Sequence, residues 1–327
     1  MFAISTPNRS SGVSTFEVLH LAHAKSPTPN ACRVFRPRVV LARALDVSSP
    51  TSTSFPLDTT RADEPALERL VTTDTIKELE STLDNGASVA ALRRFNDLLA
   101  ALPEDCWEEK LAPVMNELAY NLESFNPAFA AVVLRVQCTV GKTDYVRRDT
   151  ALKNLIQPLA GEYGMHNGEE QARTHRELFS IFYADLMKKP LEGVLAANPE
   201  PHHGKVLFDQ MMRDLSAPEG VNGPVELASY ALGYNLAIEY LADYEKTWML
   251  DSFRELNERV LKPQGRPLTE WLFLEVHAEG EAEHAALGHT AVASLVPANH
   301  EYLLERAMRD HDRDFSAFYN RMADLLE

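Results

Sequence analysis

Residues 271–295, WLFLEVHAEGEAEHAALGHTAVASL, decide the reading of this chain. Pro267 precedes the stretch, Pro297 follows it, and no proline interrupts it, so it reads as one long helix between two stops. His277, Glu281 and His284 stand at i, i+4 and i+7. At about 100° per residue they share an arc of roughly 60°. The other acids, Glu275, Glu279 and Glu283, lie off that arc, while Leu274, Gly288 and Ala291 extend it as an apolar or small stripe. Ionisable groups on a core-facing stripe are costly unless paired or metal-bound. Imidazole and carboxylate together suit iron, zinc or manganese. The plain alternative is a surface helix whose Glu and His make ordinary i, i+4 contacts.

Working outward, the 327 residues are 45% hydrophobic and 24% charged, enough for one large domain or two small ones. With 14 glycines, abundant Ala, Leu and Glu, and no β-branched alternation, the composition predicts an all-α protein. A net charge of −16 excludes the basic footprint of a nucleic-acid binder and disfavours an anionic membrane surface. No apolar run reaches the ~18 residues of a membrane span. Cys32, Cys106 and Cys138 make no CxxC and no disulfide framework, as expected of a cytoplasmic chain. Cys138 reads as a small core residue.

Residues 1–62 are rich in Ser, Thr, Pro and Arg and poor in acids, the composition of a disordered leader with some likeness to a transit peptide. Helices are then expected over 66–83, 88–102, 105–124 and 127–139. A further helix runs from Tyr145 to Tyr163, with Pro158 inside it, and ends at Gly164. A loop MHNG follows, then a helix containing THRELFSIFYADL. Glu162 closes the first of these helices and His175 opens the second. His202 and His203 fall in the loop AANPEPHHGK and are expected at the surface or at a gate. In the long helical stretch from Val225 to Leu256, Glu239 is embedded among apolar residues and reads as an inward carboxylate. Asp243 is its alternative, and Glu245 reads as more exposed. The last helix, His300 to Leu326, carries an apolar stripe of Leu304, Met308, Phe315, Phe318 and Met322, with His311 expected outside.

Glu162, His175, Glu239, His277, Glu281 and His284 are thus three carboxylates and three histidines on four helices. Inward Glu and His on facing helices are how bundles hold two irons. The paired Glu-x-x-His motifs of ferritin-like proteins are absent. The pattern instead resembles the haem-oxygenase-like di-iron oxidases and oxygenases. In those, the last ligand helix carries His-x3-Asp/Glu-x2-His, here His277, Glu281 and His284. A segment like Asn154-Leu155…Glu162-Tyr163-Gly164 precedes a helix opening like His175-Arg-Glu-Leu178-Phe179, and a middle helix gives one Glu, here Glu239. The likeness covers roughly Asp144 to Glu327.

It departs in two places. Glu281 stands where Asp is usual and reaches one methylene further. Glu162 and His175 are also more widely separated than in the family, with Met165-His166-Asn167 as an insertion, so Glu170 is an alternative to Glu162.

The resemblance implies a seven-helix haem-oxygenase-like bundle over 144–327 with an added helical subdomain over 63–143, and a homodimer. It implies two irons with those six ligands, dioxygen as co-substrate, an external electron donor and a small-molecule substrate. That substrate would be amino-acid-derived or a fatty acid, oxidised in natural-product biosynthesis. Some N-oxygenating relatives carry a further carboxylate on the preceding helix. Here NPAFAAVVLRVQCTVG, residues 126–141, has none, which favours C–C, C–N or C–H chemistry over N-oxygenation. A non-catalytic helical interaction protein on the same scaffold is the alternative from another class.

Overall fold

The computed structural model describes residues 69–166, 169–170, 172–191 and 202–327, without the side chains of 123–124, 166, 169–170 and 279–283. The expected leader, residues 1–62, lies outside the described residues. The described chain is an all-α bundle. Its helices are α1 (Thr73–Ser81), α2 (Ala87–Ala100), α3 (Trp107–Gln137), α4 (Tyr145–Glu162), α5 (His175–Met187), α6 (His203–Ser216), α7 (Pro224–Leu256), α8 (Leu272–Leu295) and α9 (Glu301–Leu326). Between α4 and α5 sits a two-residue hairpin, β1 (Met165–His166) and β2 (Glu169–Glu170), where the sequence predicts an open loop.

α7 is the axis of the bundle. Pro224 opens it at the position where a missing N–H costs nothing. From Ala228 to Glu239 every residue is buried, because α2, α3, α8 and α9 pack around it. A helix hydrophobic on all sides belongs in the middle of a core. α9 shows the opposite pattern: Leu304, Met308, Phe315, Phe318 and Met322 are buried on one stripe while charged residues cover the other. That stripe packs on α2 and α7.

The helices that precede residue 143 lie in the same compact unit, Arg61–Glu327, as the ligand-bearing ones. α2 packs on α7 and α9, and α3 packs on α4, α6 and α7. α1 is tied to α8 by Glu80, whose carboxylate oxygens lie 2.8 and 2.9 Å from His289 Nε2.

Several expectations need correction. The helices predicted over 105–124 and 127–139 are one helix, α3, with Pro113 and Pro127 inside it. Packing against α4, α6 and α7 outweighs the hydrogen bond each proline removes. Cys138 is exposed, because it caps the end of α3 rather than continuing its buried face. His202 is buried, its ring stacked on Tyr120 at 5.2 Å and its Nδ1 3.6 Å from Glu117. His203 is half-buried in a separate groove between α6 and α9. His311 is buried against Tyr234 and Phe315.

Candidate metal centre

The first carboxylate is set by the end of α4. Asp144 starts that helix by accepting from the backbone N–H groups of Val146 and Arg147. The helix ends at Glu162, and the chain turns at Gly164 with φ of +70°. A side chain there would meet the carbonyl oxygen of Ala172 at 2.2 Å, so glycine is required. The hairpin then returns the chain to Thr174. Its hydroxyl accepts from the Glu177 N–H, while the Glu177 carboxylate accepts from the Thr174 N–H. This capping box fixes the first turn of α5 and places His175 at its head. His175 Nδ1 comes to lie 2.9 Å from Glu162 Oε1.

α8 brings His277 to the same point. Its ring centroid is 4.2 Å from that of His175 and 4.6 Å from Phe273. Nδ1 of His277 is 2.5 Å from the carbonyl oxygen of Phe273 and donates to it, which leaves Nε2 as the nitrogen that could ligate a metal. This is the orientation that second partners impose on metal-binding histidines. Burial first, then the charge of Lys246 and the neighbouring His175, hold the His277 pKa well below its ordinary value. The imidazole is therefore neutral, the form that ligates.

Ligand atoms of Glu162, His175 and His277 all lie within 4.8 Å of one another. Two bonds of about 2.1 Å to one ion span roughly 4.2 Å, so small side-chain rotations close this set on a cation. On the facing side, α7 presents Glu239, only 4% exposed, with Oε2 3.7 Å from Nδ1 of His284. Glu162, Glu239, His277 and His284 line one pocket, walled by Leu122, Phe125 and Phe129 of α3 and Ile238 and Ala242 of α7. The donor set, two groups of carboxylate and imidazole on opposite walls, fits two divalent transition ions.

Five of the six expected residues thus meet at one place. The backbone of α8 runs through Glu281, whose side chain lies outside the described residues, as does that of Glu170. Glu170 Cα pairs with Met165 in the hairpin. Asp243 is exposed. Glu245 is buried, at 1% exposure, contrary to the pattern reading. It accepts from the hydroxyl of Tyr319 on α9, and its other oxygen is 2.8 Å from Lys246 Nζ.

Lys246 is the pocket residue that sequence reasoning missed. Its spacing from Glu239, i+7, was the available signal, since it repeats the spacing of His277 and His284.

No family model matches the chain, and no curated protein matches it. Two crystal structures of a CADD-like protein of unknown function from Nostoc punctiforme do. The first has a TM-score of 0.58 at 15% identity over 77% of this chain and 96% of that one. The second has a TM-score of 0.56 at 14% identity over 77% and 94%. The fold is CADD-like. At that identity the likeness is one of architecture, and the CADD-like bundle is the scaffold on which α4, α5, α7 and α8 present the acids and histidines.

Proposed function

We propose that this chain is a non-haem di-iron oxidase or oxygenase using dioxygen on a small amino-acid-derived or fatty-acid substrate. The observation that carries the reading is the convergence of Glu162, His175 and His277 with Glu239 and His284 around one pocket. The CADD-like fold supports it at the level of the scaffold. Glu162, His175, Glu239, His277, Glu281 and His284 would hold the metal. Bound iron would supply the redox chemistry, activating dioxygen with electrons from an external donor.

The chain's own groups supply the rest. Phe273, packed against Phe179 and Phe182, backs the His277 ring, and its backbone carbonyl accepts the hydrogen bond from the His277 Nδ1–H, so the imidazole is fixed before metal arrives. Phe125, Phe129, Leu122 and Ile238 exclude water from the pocket and offer an apolar wall to a substrate. Among the described lining residues α3 contributes apolar side chains and no carboxylate. Nucleic acid is not a fitting partner at a net charge of −16. Among the described residues no helix is long and apolar enough to cross a membrane.

Anaerobic loading with Fe(II), followed by rapid mixing with oxygen in the presence of amino-acid and fatty-acid panels, tests the reading. Stoichiometric iron with substrate-dependent oxygen consumption supports it. A chain that retains no stoichiometric iron is a helical interaction protein instead.

A further inference from the structure

We infer that Lys246 anchors an anionic head group, a carboxylate, on the substrate of this pocket; the inference rests on reading the pocket as the reaction site. Lys246 lies seven residues beyond Glu239 on α7. That is about 20° from the same face and roughly 10 Å further along the axis. Its side chain therefore lines the pocket from the wall that carries Glu239, near the acids and histidines.

Lysine is almost never fully buried unless paired, and Lys246 is 6% exposed. Glu245 is its partner, at 2.8 Å. Glu245 is itself shared, since its second oxygen accepts from Tyr319. An ammonium has three N–H donors, and Glu245 uses one face of it. The Phe125 ring, 5.6 Å from Nζ, stacks against the cation and limits where it can swing. The result is a positive group held in place beside the apolar side chains of Phe125 and Ala242.

Stability alone does not account for this arrangement. Apolar residues of similar volume commonly replace a buried ion pair with no loss. A pair placed only to hold α7 to α9 would not need its cation in a cavity. Glu162 and Glu239 repel an anion when no metal is bound, and bound metal cancels that repulsion. Lys246 would then be the fixed positive charge that selects a carboxylate head and rejects an amine, while Phe125, Phe129 and Leu122 accommodate the apolar body.

The test uses the full chain loaded with Zn(II), which binds the same ligands without redox turnover. Octanoate, octan-1-ol and octylamine are titrated by calorimetry, with zinc content measured on every sample. The expected order is octanoate at least tenfold tighter than octanol, with octylamine weakest. Lys246→Met should lower octanoate affinity at least tenfold, leave octanol unchanged and keep its zinc. Lys246→Arg should keep the octanoate preference. Undiminished octanoate preference in Lys246→Met overturns the inference, because the metal would then be the anchor; so does preferential binding of octylamine. If Lys246→Met does not fold, loss of the preference in Lys246→Arg overturns it and retention supports it. Absence of stoichiometric zinc in the wild-type chain would instead overturn the metal reading. The same octanoate and octanol titrations on metal-free wild-type chain and Lys246→Arg would still test the lysine.

Discussion

The imidazoles of His175 and His277 stand with ring centroids 4.2 Å apart, one at the head of α5 and the other in the buried stretch of α8. Neither helix reaches this point by local preference alone. The Gly164 turn and the Thr174 capping box deliver the first ring, and the Phe273 carbonyl orients the second. Two facing imidazoles beside the Glu162 carboxylate could together hold a metal ion, and the first prediction follows from that. Anaerobic reconstitution should give about two irons per chain, a number that rests on the family resemblance. His277→Ala should remove at least half of it, with little change in helicity. Iron content by mass spectrometry and Mössbauer spectra check this; an unchanged iron content in His277→Ala would take the residue out of the centre.

Glu239 and Glu245 make a sharper comparison, because both are buried on α7 and only Glu239 lines the pocket. Glu239→Ala should lower iron content and abolish turnover. In the metal-free chain it should cost less stability than Glu245→Ala, since it leaves behind the partly exposed His284 rather than a buried lysine. Glu245→Ala should do the reverse. It strands Lys246 and the Tyr319 hydroxyl in the core, at a cost of roughly 3 kcal/mol. Denaturant melts of the two metal-free variants, set beside their iron contents, decide the matter. Equal iron loss in both would mean that Glu239 has no privileged place in the centre.

The contrast between those two residues also shows what was legible in the sequence. His277 and His284 announced themselves because helical period and composition are local signals, and Glu239 because its immediate neighbours are apolar. The all-α class followed from composition. Glu245 was hidden because its burial is created by Tyr319, 74 residues away on α9. His202 was hidden for the same reason, its shelter coming from Tyr120 and Glu117 on α3. His311 falls on the stripe of Leu304, Met308, Phe315 and Phe318, and that helical period, rather than the charged run RDHDRD around it, decides its burial. The unbroken course of α3 through Pro127 was not legible, since packing on three other helices decides it.

Helix proximity gives a third prediction. A Cβ built on Gly233 of α7 would lie 2.6 Å from Leu304 Cα and 2.8 Å from its carbonyl oxygen, so α7 and α9 touch backbone to backbone there. Gly233→Ala must push the helices apart and should cost roughly 1–3 kcal/mol, despite alanine's better helix propensity. Gly161→Ala on α4, where a Cβ meets nothing within 4 Å, should be neutral or stabilising by up to about 1 kcal/mol. Thermal melts of the two variants check the pair; a Gly233→Ala melt that matches wild type would show that α7 and α9 can slide without cost.

The last prediction concerns acid stability and His311. Burial alone lowers its pKa to about 3, and the ring packs between Tyr234 at 4.9 Å and Phe315 at 5.2 Å. Its two nitrogens have no hydrogen-bond partner among the described residues. Above pH ~6.5 the ring is neutral in both the folded and the unfolded chain, and its contribution to stability is complete. As pH falls below that value the unfolded chain takes up a proton that the folded chain refuses until about pH 3. Stability is therefore lost on the acid side, at up to about 1.4 kcal/mol per pH unit for this one site. Asp214 acts with the opposite sign. Burial first, and then Asp314 and Asp310, raise its pKa to about 6, so its contribution is present at low pH and fades as pH rises through that value. A wild-type profile alone would mix the two, and the difference between wild type and His311→Phe isolates the histidine. Phenylalanine keeps the ring packing and removes the buried nitrogens, so the variant should equal or exceed wild type in stability at pH 7. The gap between the two should widen in its favour from pH 6.5 toward pH 4. Urea unfolding at half-unit pH intervals measures that gap, and parallel profiles over this range would show that His311 is protonated at the same pH in the folded and unfolded chain.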